Sequence, residues 1–519
     1  MPYPCPKCGR NLHKNGKTPA GKQRWLCLDT VGGRTYCYAT TNPKAKQRKQ
    51  SADVVEEDPI PGRALRKASR YIITCAQNAT PIHKQFWASL LVAAKHYDAE
   101  IIVIPIRYKN ATSQWTDSQE NAEWWDAAVT PHLYKKRAKL NAHCVVLADI
   151  SVQPTASDPL SGFQAMSAGE SCIIGHPKMQ LVSVPTPGHK MAKLLTTTGA
   201  CTRPNYTKSR AGATGEFHHS LSALIVEIDG PKFWLRQLHG NKSSGSFTDL
   251  NKTFTPRGVR KAQRPLALVC GDTHVDFLSP SVRKATYDKG GMLDVLKPHH
   301  IVHHDLLDSY SISGHHVGNP FNAIAKRISN RDDARAEVMR AIEFVRKTTP
   351  KGTKAVIVSS NHDDMLRRWI IREDWKANPT NAEFYLETAL FMARSTRMTE
   401  IGTEYASPLV YWGRKILPSA RWLDGESFTL AGVELSLHGD KGPNGSRGSA
   451  RNLRRIGPKV IIGHSHSPCI SEGAYQTGTS TELKAEYTGP VGSWLNAHVV
   501  EHADGKRQLI IIIDGRWRK

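Results

Sequence analysis

Val269-Cys-Gly-Asp-Thr-His-Val275 is the stretch that most restricts what this chain can become. The apolar run from Leu266 to Cys270 reads as a short buried strand, stopped at Gly271. Asp272 and His274 follow one residue apart, and alternate positions of an extended segment project to the same side. Both can then reach one divalent ion. Alone, Asp-x-His is a weak signal, but the pattern recurs. His304-Asp305-Leu-Leu-Asp308 follows Ile301-Val302, and Ser360-Asn361-His362-Asp363 follows Ala355-Val-Ile-Val358. His438 follows Val433 to Leu437, and Gly463-His464-Ser465-His466 follows Val460-Ile-Ile462. Five strand-like runs thus end in Asp, Asn or His, and in open α/β sheets the carboxyl ends of strands line the ligand crevice. The residue types are those that bind hard or borderline cations.

Taken together, the five segments resemble the calcineurin-like metallophosphoesterase signature, D-x-H, G-D-x-x-D, G-N-H-D, H and G-H-x-H, in that order across residues 266–470. The resemblance implies an α/β chain whose catalytic domain is a metallophosphoesterase β-sandwich flanked by helices. It implies that Asp272, His274, Asp305 and His466 hold one metal, and that Asp305 bridges to a second held by Asn361, His438 and His464. His362 would meet the phosphate as general acid, oriented by Asp363. His304 and Ser360 stand where the family has Gly before the bridging Asp and before Asn361.

Two ions about 3.5–4 Å apart clamp both oxygens of an in-line displacement at phosphorus, so no covalent nucleophile is needed. Mixed Asp, Asn and His ligation suits Mn²⁺, with Fe²⁺ or Zn²⁺ as alternatives, better than Ca²⁺. A Ser–His acyl-transfer triad lacks any G-x-S-x-G support. A protein phosphatase of this family carries Asp-Arg where Asp308 is followed here by Ser309. A small-phosphoester or cyclic-nucleotide hydrolase shares the core without needing so basic a chain. A bacterial repair exonuclease of the superfamily usually needs an ATPase partner that nothing here identifies. A DNA-binding scaffold with a degenerate site would not keep a complete ligand set.

Charge points to the substrate. The 519 residues carry a formal net charge of +25, spread through every part of the chain, which favours a polyanionic partner, here DNA. The expectation is a deoxyribonuclease that also self-associates. The length predicts two to four domains. Ten cysteines do not make a disulfide scaffold. The amino terminus lacks a signal-peptide pattern, and no apolar run is long enough to span a bilayer, so a cytoplasmic protein is expected.

Residues 1–40 read as a small zinc ribbon. Cys5-Pro-Lys-Cys8 is a metal knuckle, and Cys27 and Cys37 would complete four thiolates, although their spacing is wide and His13 offers a substitute. The segment Asn15 to Trp25 resembles the N-terminal zinc ribbons of insertion-sequence transposases. Residues 41–66 read as a mobile, charged linker.

Residues 67–262 read as an α/β accessory domain preceding the catalytic domain at 263–519. Tyr71 to Cys75, Glu100 to Pro105 and His143 to Asp149 are strand-like, and helices are expected over Ile82 to Tyr97 and Asn121 to Val129. Ser222 to Gly240 reads as a hairpin turning at Asp229-Gly230. The loops Tyr108 to Asn110 and Arg203 to Arg210 mix cations with an aromatic. The strings Ala76 to His83 and Ile104 to Asn110, with the downstream motifs, resemble the early host-DNA-degrading nucleases of tailed bacteriophages.

Two loops are candidates for DNA contact. Ser309 to His316 follows the second motif, and His315 and His316 could meet phosphate. Gly439 to Arg447 carries Lys441 and Arg447 and precedes Arg451. Its glycines and a helix beginning near Ser449 make it a candidate phosphate cradle. Further helices are expected over Asp332 to Arg346 and Asn381 to Ala393, with a closing strand from Gln508 to Asp514.

Overall fold

The computed structural model describes residues 3, 5, 10–27, 38–40, 63–108, 124–187, 191–400, 402–484 and 489–518. The chain divides into two compact units, Met1–Pro59 and Ile60–Lys519. In the first, strands His13–Lys17, Gln23–Cys27 and Tyr38–Thr40 form one antiparallel sheet. Cys5 and Cys27 are buried with Leu12 in a small core, against which Tyr3 and Trp25 pack edge to face at 5.0 Å. His13 is exposed. Cys8, Cys37 and most of the linker lie outside the described residues.

The second unit is a mixed α/β structure. One six-stranded sheet runs in the order Arg421–Trp422, Lys354–Ile357, His300–His303, Ala267–Val269, Asn496–Glu501, Arg507–Ile512. Its first four strands are parallel, and its last two are antiparallel. Period-two alternation sorts its side chains into two layers. Val269, Val302, Val356, Val499 and Ile511 enter a core shared with a ten-stranded sheet. Leu268, Ile301, Ile357, Val500 and Ile510 face a second core, closed by helices that include Ala334–Thr348 and Pro408–Ile416.

The ten-stranded sheet disregards the division at residue 262. Strands Val433–Glu434, Lys459–Ile462, Ala474–Gln476 and Cys469–Ser471 pass directly into Gln180–Val184 and its upstream neighbours. The junction is the antiparallel pair Ile470 and Leu181, both buried. The upstream strands Arg70–Gln77 and Glu100–Ile106 are parallel, and the helix between them is Lys84–Tyr97. The hairpin turns where expected, with Asp229 opposite Lys232 and Gly230 at φ +56°. The helix expected over Asn121 to Val129 is absent from its described part, residues 124–129, which form a turn leading into the short 3-10 helix Thr130–His132. Asp126 is spent there on turn contacts, accepting from the backbone N–H of Ile82 and Ala128. No helix among the described residues is long and apolar enough to cross a membrane.

Candidate metal centre

Five strands deliver the motifs to one end of the two sheets. Asp272 and His274 follow Ala267–Val269, Asp305 follows His300–His303, and Asn361 follows Lys354–Ile357. His438 follows Val433–Glu434, and His464 and His466 follow Lys459–Ile462. Within each sheet these strands run parallel to one another, so their carboxyl ends gather side by side.

Four of the side chains, Asp272, His274, Asp305 and His466, are buried and place ligand atoms within 4.8 Å of one another. His466 Nε2 is 3.1 Å from Asp272 Oδ2 and 3.3 Å from His274 Nε2, which is 3.6 Å from Asp305 Oδ2. A second set adjoins it through Asp305. His438 Nε2 is 3.1 Å from Asp305 Oδ2 and 3.1 Å from Asn361 Oδ1, and His464 Nδ1 is 3.0 Å from the same Asn361 oxygen. Such separations fit the edges of a coordination shell whose ligands would lie about 2.0–2.2 Å from its centre.

Unspent polar atoms point the same way. Oδ1 of Asp272 and Oδ1 of Asp305 are buried with no hydrogen-bond partner among the described residues. Buried carboxylates left so are costly unless a cation meets them. The backbone is held in unfavourable conformations to present these groups. His274, Asp305, His464 and His466 all lie in the left-handed region, with φ of 38°, 41°, 76° and 58°. Each costs on the order of 1–3 kcal/mol, a strain that concentrates at functional sites. The approach is equally tight at Gly463, where an added Cβ would stand 2.2 Å from Asp272 Oδ1.

The electrostatics follow from burial and proximity. Burial alone would lower His438 and His274, but the neighbouring carboxylates, Asp305 for His438 and Asp308 with Asp305 for His274, raise each to about 9. Burial opposes ionisation of Asp305, yet His438 and His362 hold it well below the usual carboxylate range. His304 is pushed down to about 4 by burial and by His438 beside it. Its Nδ1 is 3.5 Å from His438 Nδ1. The fully buried His304 ring is therefore packed behind His438 rather than in the mouth of the site.

The structure corrects one assignment. His362 is not oriented by Asp363. The His362 Nδ1–H donates to the backbone carbonyl of Asp308 at 2.8 Å, which leaves Nε2 as the atom available to a substrate. Asp363 begins the helix Asp363–Arg372, is 3% exposed, and is pushed up to about 7 by burial and by Asp305. Asp308 also places Oδ1 3.2 Å from His274 Nδ1, so one residue steadies both imidazoles. The D of G-D-x-x-D was visible in the sequence, but only the turn after Asp305 shows what it touches. Partners of this kind are worth about 10–100-fold in metal affinity or activity. Asp308→Ala is expected to show a loss on that scale in metal titration, with the fold retained by circular dichroism. Wild-type affinity would remove Asp308 from this role.

Of the proposed DNA contacts, His315 and His316 line the crevice in front of the cluster, together with Arg331, His362 and Trp494. Trp494 was not singled out from sequence, and its ring stands 4.2 Å from that of His466. Lys441 lines a neighbouring cavity that includes His438. Arg447 and Arg451 line neither, and Arg451 reaches Asp158 at 3.4 Å. In the loop from Gly439 to Arg447, several amides are spent internally, Gly445 N–H donating to Gly442 O at 3.2 Å and Ser446 N–H to Pro443 O at 3.2 Å. Gly448 N–H donates to Asp440 O at 2.9 Å and Gly442 N–H to Ser446 O at 2.7 Å. The following helix, Ala450–Leu453, has only four residues. Upstream, the two basic loops do meet, with Tyr108 Oη 2.8 Å from Thr207 Oγ1.

This is a mixed α/β protein with a buried Asp–His cluster able to hold a metal ion. Protein A1 of Escherichia phage T5 is 31% identical to the chain over 493 residues, spanning 91% of this chain and 87% of the phage protein. The chain belongs to the family of that phage protein. No protein-family model and no solved structure matches it.

Proposed function

We propose that the chain is a two-metal phosphodiesterase of the calcineurin-like metallophosphoesterase type that hydrolyses DNA. The observation that carries this reading is the convergence of seven side chains, from five separated segments, into two polar sets that share Asp305. Asp272, His274, Asp305 and His466 would hold one ion, and Asp305, Asn361, His438 and His464 the other. When bound, the ions supply an activated water and neutralise charge at phosphorus. His304 and Asp308 hold His438 and His274 in place. His362, fixed through Nδ1, presents Nε2 to the crevice, where it can hand a proton to a leaving oxygen. Two sheets sharing one core, with helices on the outer face of the six-stranded sheet, suit the sandwich this family uses. The charge of +25 supports a polyanionic substrate, and a phage relative supports a phage origin for the chain.

Incubation with Mn²⁺ and circular or linear DNA tests the reading. Metal-dependent cleavage of DNA is expected, and nicking of the circle would make the enzyme an endonuclease. Hydrolysis of small phosphoesters without cleavage of DNA would replace the substrate class.

The N-terminal sheet supports a structural zinc site, with Cys5 and Cys27 buried in one small core beside Trp25. So small a unit cannot fold on apolar burial alone, and metal would supply the difference. The full chain is expected to retain one zinc after chelation of the catalytic ions, and Cys27→Ser to lose it. Zinc-free wild-type protein purified under reducing conditions would end this assignment.

A further inference from the structure

A cavity of about 750 Å³ opens where the end of the helix Arg210–His218, the turn after the strand Lys232–His239 and the hairpin turn at Gly505 come together. Its lining shares no residue with the crevice at the metal cluster. Six cationic side chains line it, Lys178, Lys242, Arg454, Lys459, Lys506 and Arg507, against one carboxylate, Glu472.

That carboxylate is already engaged, by Lys178 Nζ at 2.8 Å and Arg454 Nη1 at 3.2 Å. Lys506 meets Asp504 at 3.2 Å. The other three cations have no ion-pair partner among the described residues. Lys242 and Lys459 are exposed. Arg507 is only 6% exposed, donates to the carbonyl oxygens of Val460 and Gly473, and lies 4.3 Å over the Tyr475 ring. Burial works against the Arg507 charge, which Tyr475 and Glu501 favour. Lys242, Lys459 and Arg507 are left to repel each other around one cavity, and a bound polyanion relieves that cost. Phe217, 81% exposed, stands at the rim of the same cavity, its ring 5.0 Å from that of His218.

Unpaired cations beside an uncovered aromatic ring form the combination that holds single-stranded nucleic acid, phosphates on the charges and a base on the ring. We propose that this cavity is a second nucleic-acid site, which binds single-stranded DNA apart from the metal cluster. The choice of DNA as ligand rests on the phosphodiesterase reading. Free phosphate shares the chemistry of the cations but not that of Phe217.

The test reads fluorescence anisotropy of a labelled oligothymidylate with the full chain in EDTA across a salt series. Lys242→Glu with Lys459→Glu changes two exposed residues. This variant is expected to bind at least about tenfold more weakly and to flatten the slope of log affinity against log salt by about 1.5. Phe217→Ala is expected to bind about tenfold more weakly with the slope unchanged. Parental affinity and slope in both variants would overturn the site. Full displacement of the oligonucleotide by millimolar inorganic phosphate at constant ionic strength would reassign it to free phosphate. Equal weakening of single- and double-stranded binding by the lysine variant, with Phe217→Ala unaffected, would overturn the single-strand assignment. Binding is read without metal, so it stands or falls separately from hydrolysis.

Discussion

Asp305→Ala is expected to abolish metal-dependent DNA cleavage, with a loss of at least about 10³-fold, the scale on which removal of one preorganised polar group from an active centre acts. Asp305 is the member common to both polar sets, with Oδ2 3.1 Å from His438 Nε2 and 3.6 Å from His274 Nε2. Removing its carboxylate also removes the charge that raises His438, so that ring loses its partner at the same stroke. Metal titration of the variant should show both sites weakened, whereas His464→Ala should weaken one set and leave the four-residue set with Asp272 able to bind. The side chain is buried, yet the smaller residue replaces a carboxylate whose Oδ1 has no protein partner, so the fold should survive. Undiminished cleavage by Asp305→Ala, under conditions where the wild type cuts, would remove the metal cluster from the chemistry.

The second large effect involves none of the cluster residues. Arg236→Ala is expected to lower stability by about 3–5 kcal/mol, because it leaves the buried Asp249 carboxylate without its cation and Glu227 with Arg70 alone. Arg236, 2% exposed, donates from Nε and Nη2 to Asp249 at 2.8 and 2.9 Å and from Nη1 to Glu227 at 2.6 Å. Tyr97 and Gln508 complete the shell of Asp249, at 2.8 and 3.0 Å. The network therefore ties the upstream sheet to the strand Arg507–Ile512. It also makes an acid transition. Burial opposes the Asp249 charge, but Arg236 overcomes it and holds the group at about 2. The folded value is depressed relative to about 3.9 in the unfolded chain, so this stabilisation is present above about pH 4 and is lost as pH falls toward 2. Thermal melting of wild type and variant across that range checks both claims. Coincident melting at neutral pH would show the network to be neutral.

How much of this was legible beforehand differs by residue. Strand ends and the polar side chains that follow them were readable because both signals are local. An apolar run with period two must be buried, and a polar cluster at its end must face whatever lies beyond the sheet. Asp272, His274, Asp305, Asn361, His438, His464 and His466 were placed that way, and the structure brings them together. The helices from Ala334 and Ala382 were legible for the same reason, since apolar spacing is a property of the segment itself. At the Gly439 loop, glycine-rich composition says that amides can be exposed, and only the fold shows that those of Gly442, Gly445 and Ser446 turn inward.

The sequence by itself determined which side chains could bind metal, and that they would stand at the ends of strands, because residue type and short-range periodicity are written into each segment. Only the tertiary structure decided that Asp308 rather than Asp363 holds His362, that Arg451 turns to Asp158, that Trp494 stands beside His466, and that one sheet crosses from the upstream region into the downstream one. Each of those outcomes depends on which distant segments pack together. That is settled by burial summed over the whole core, and no stretch of the chain carries it alone.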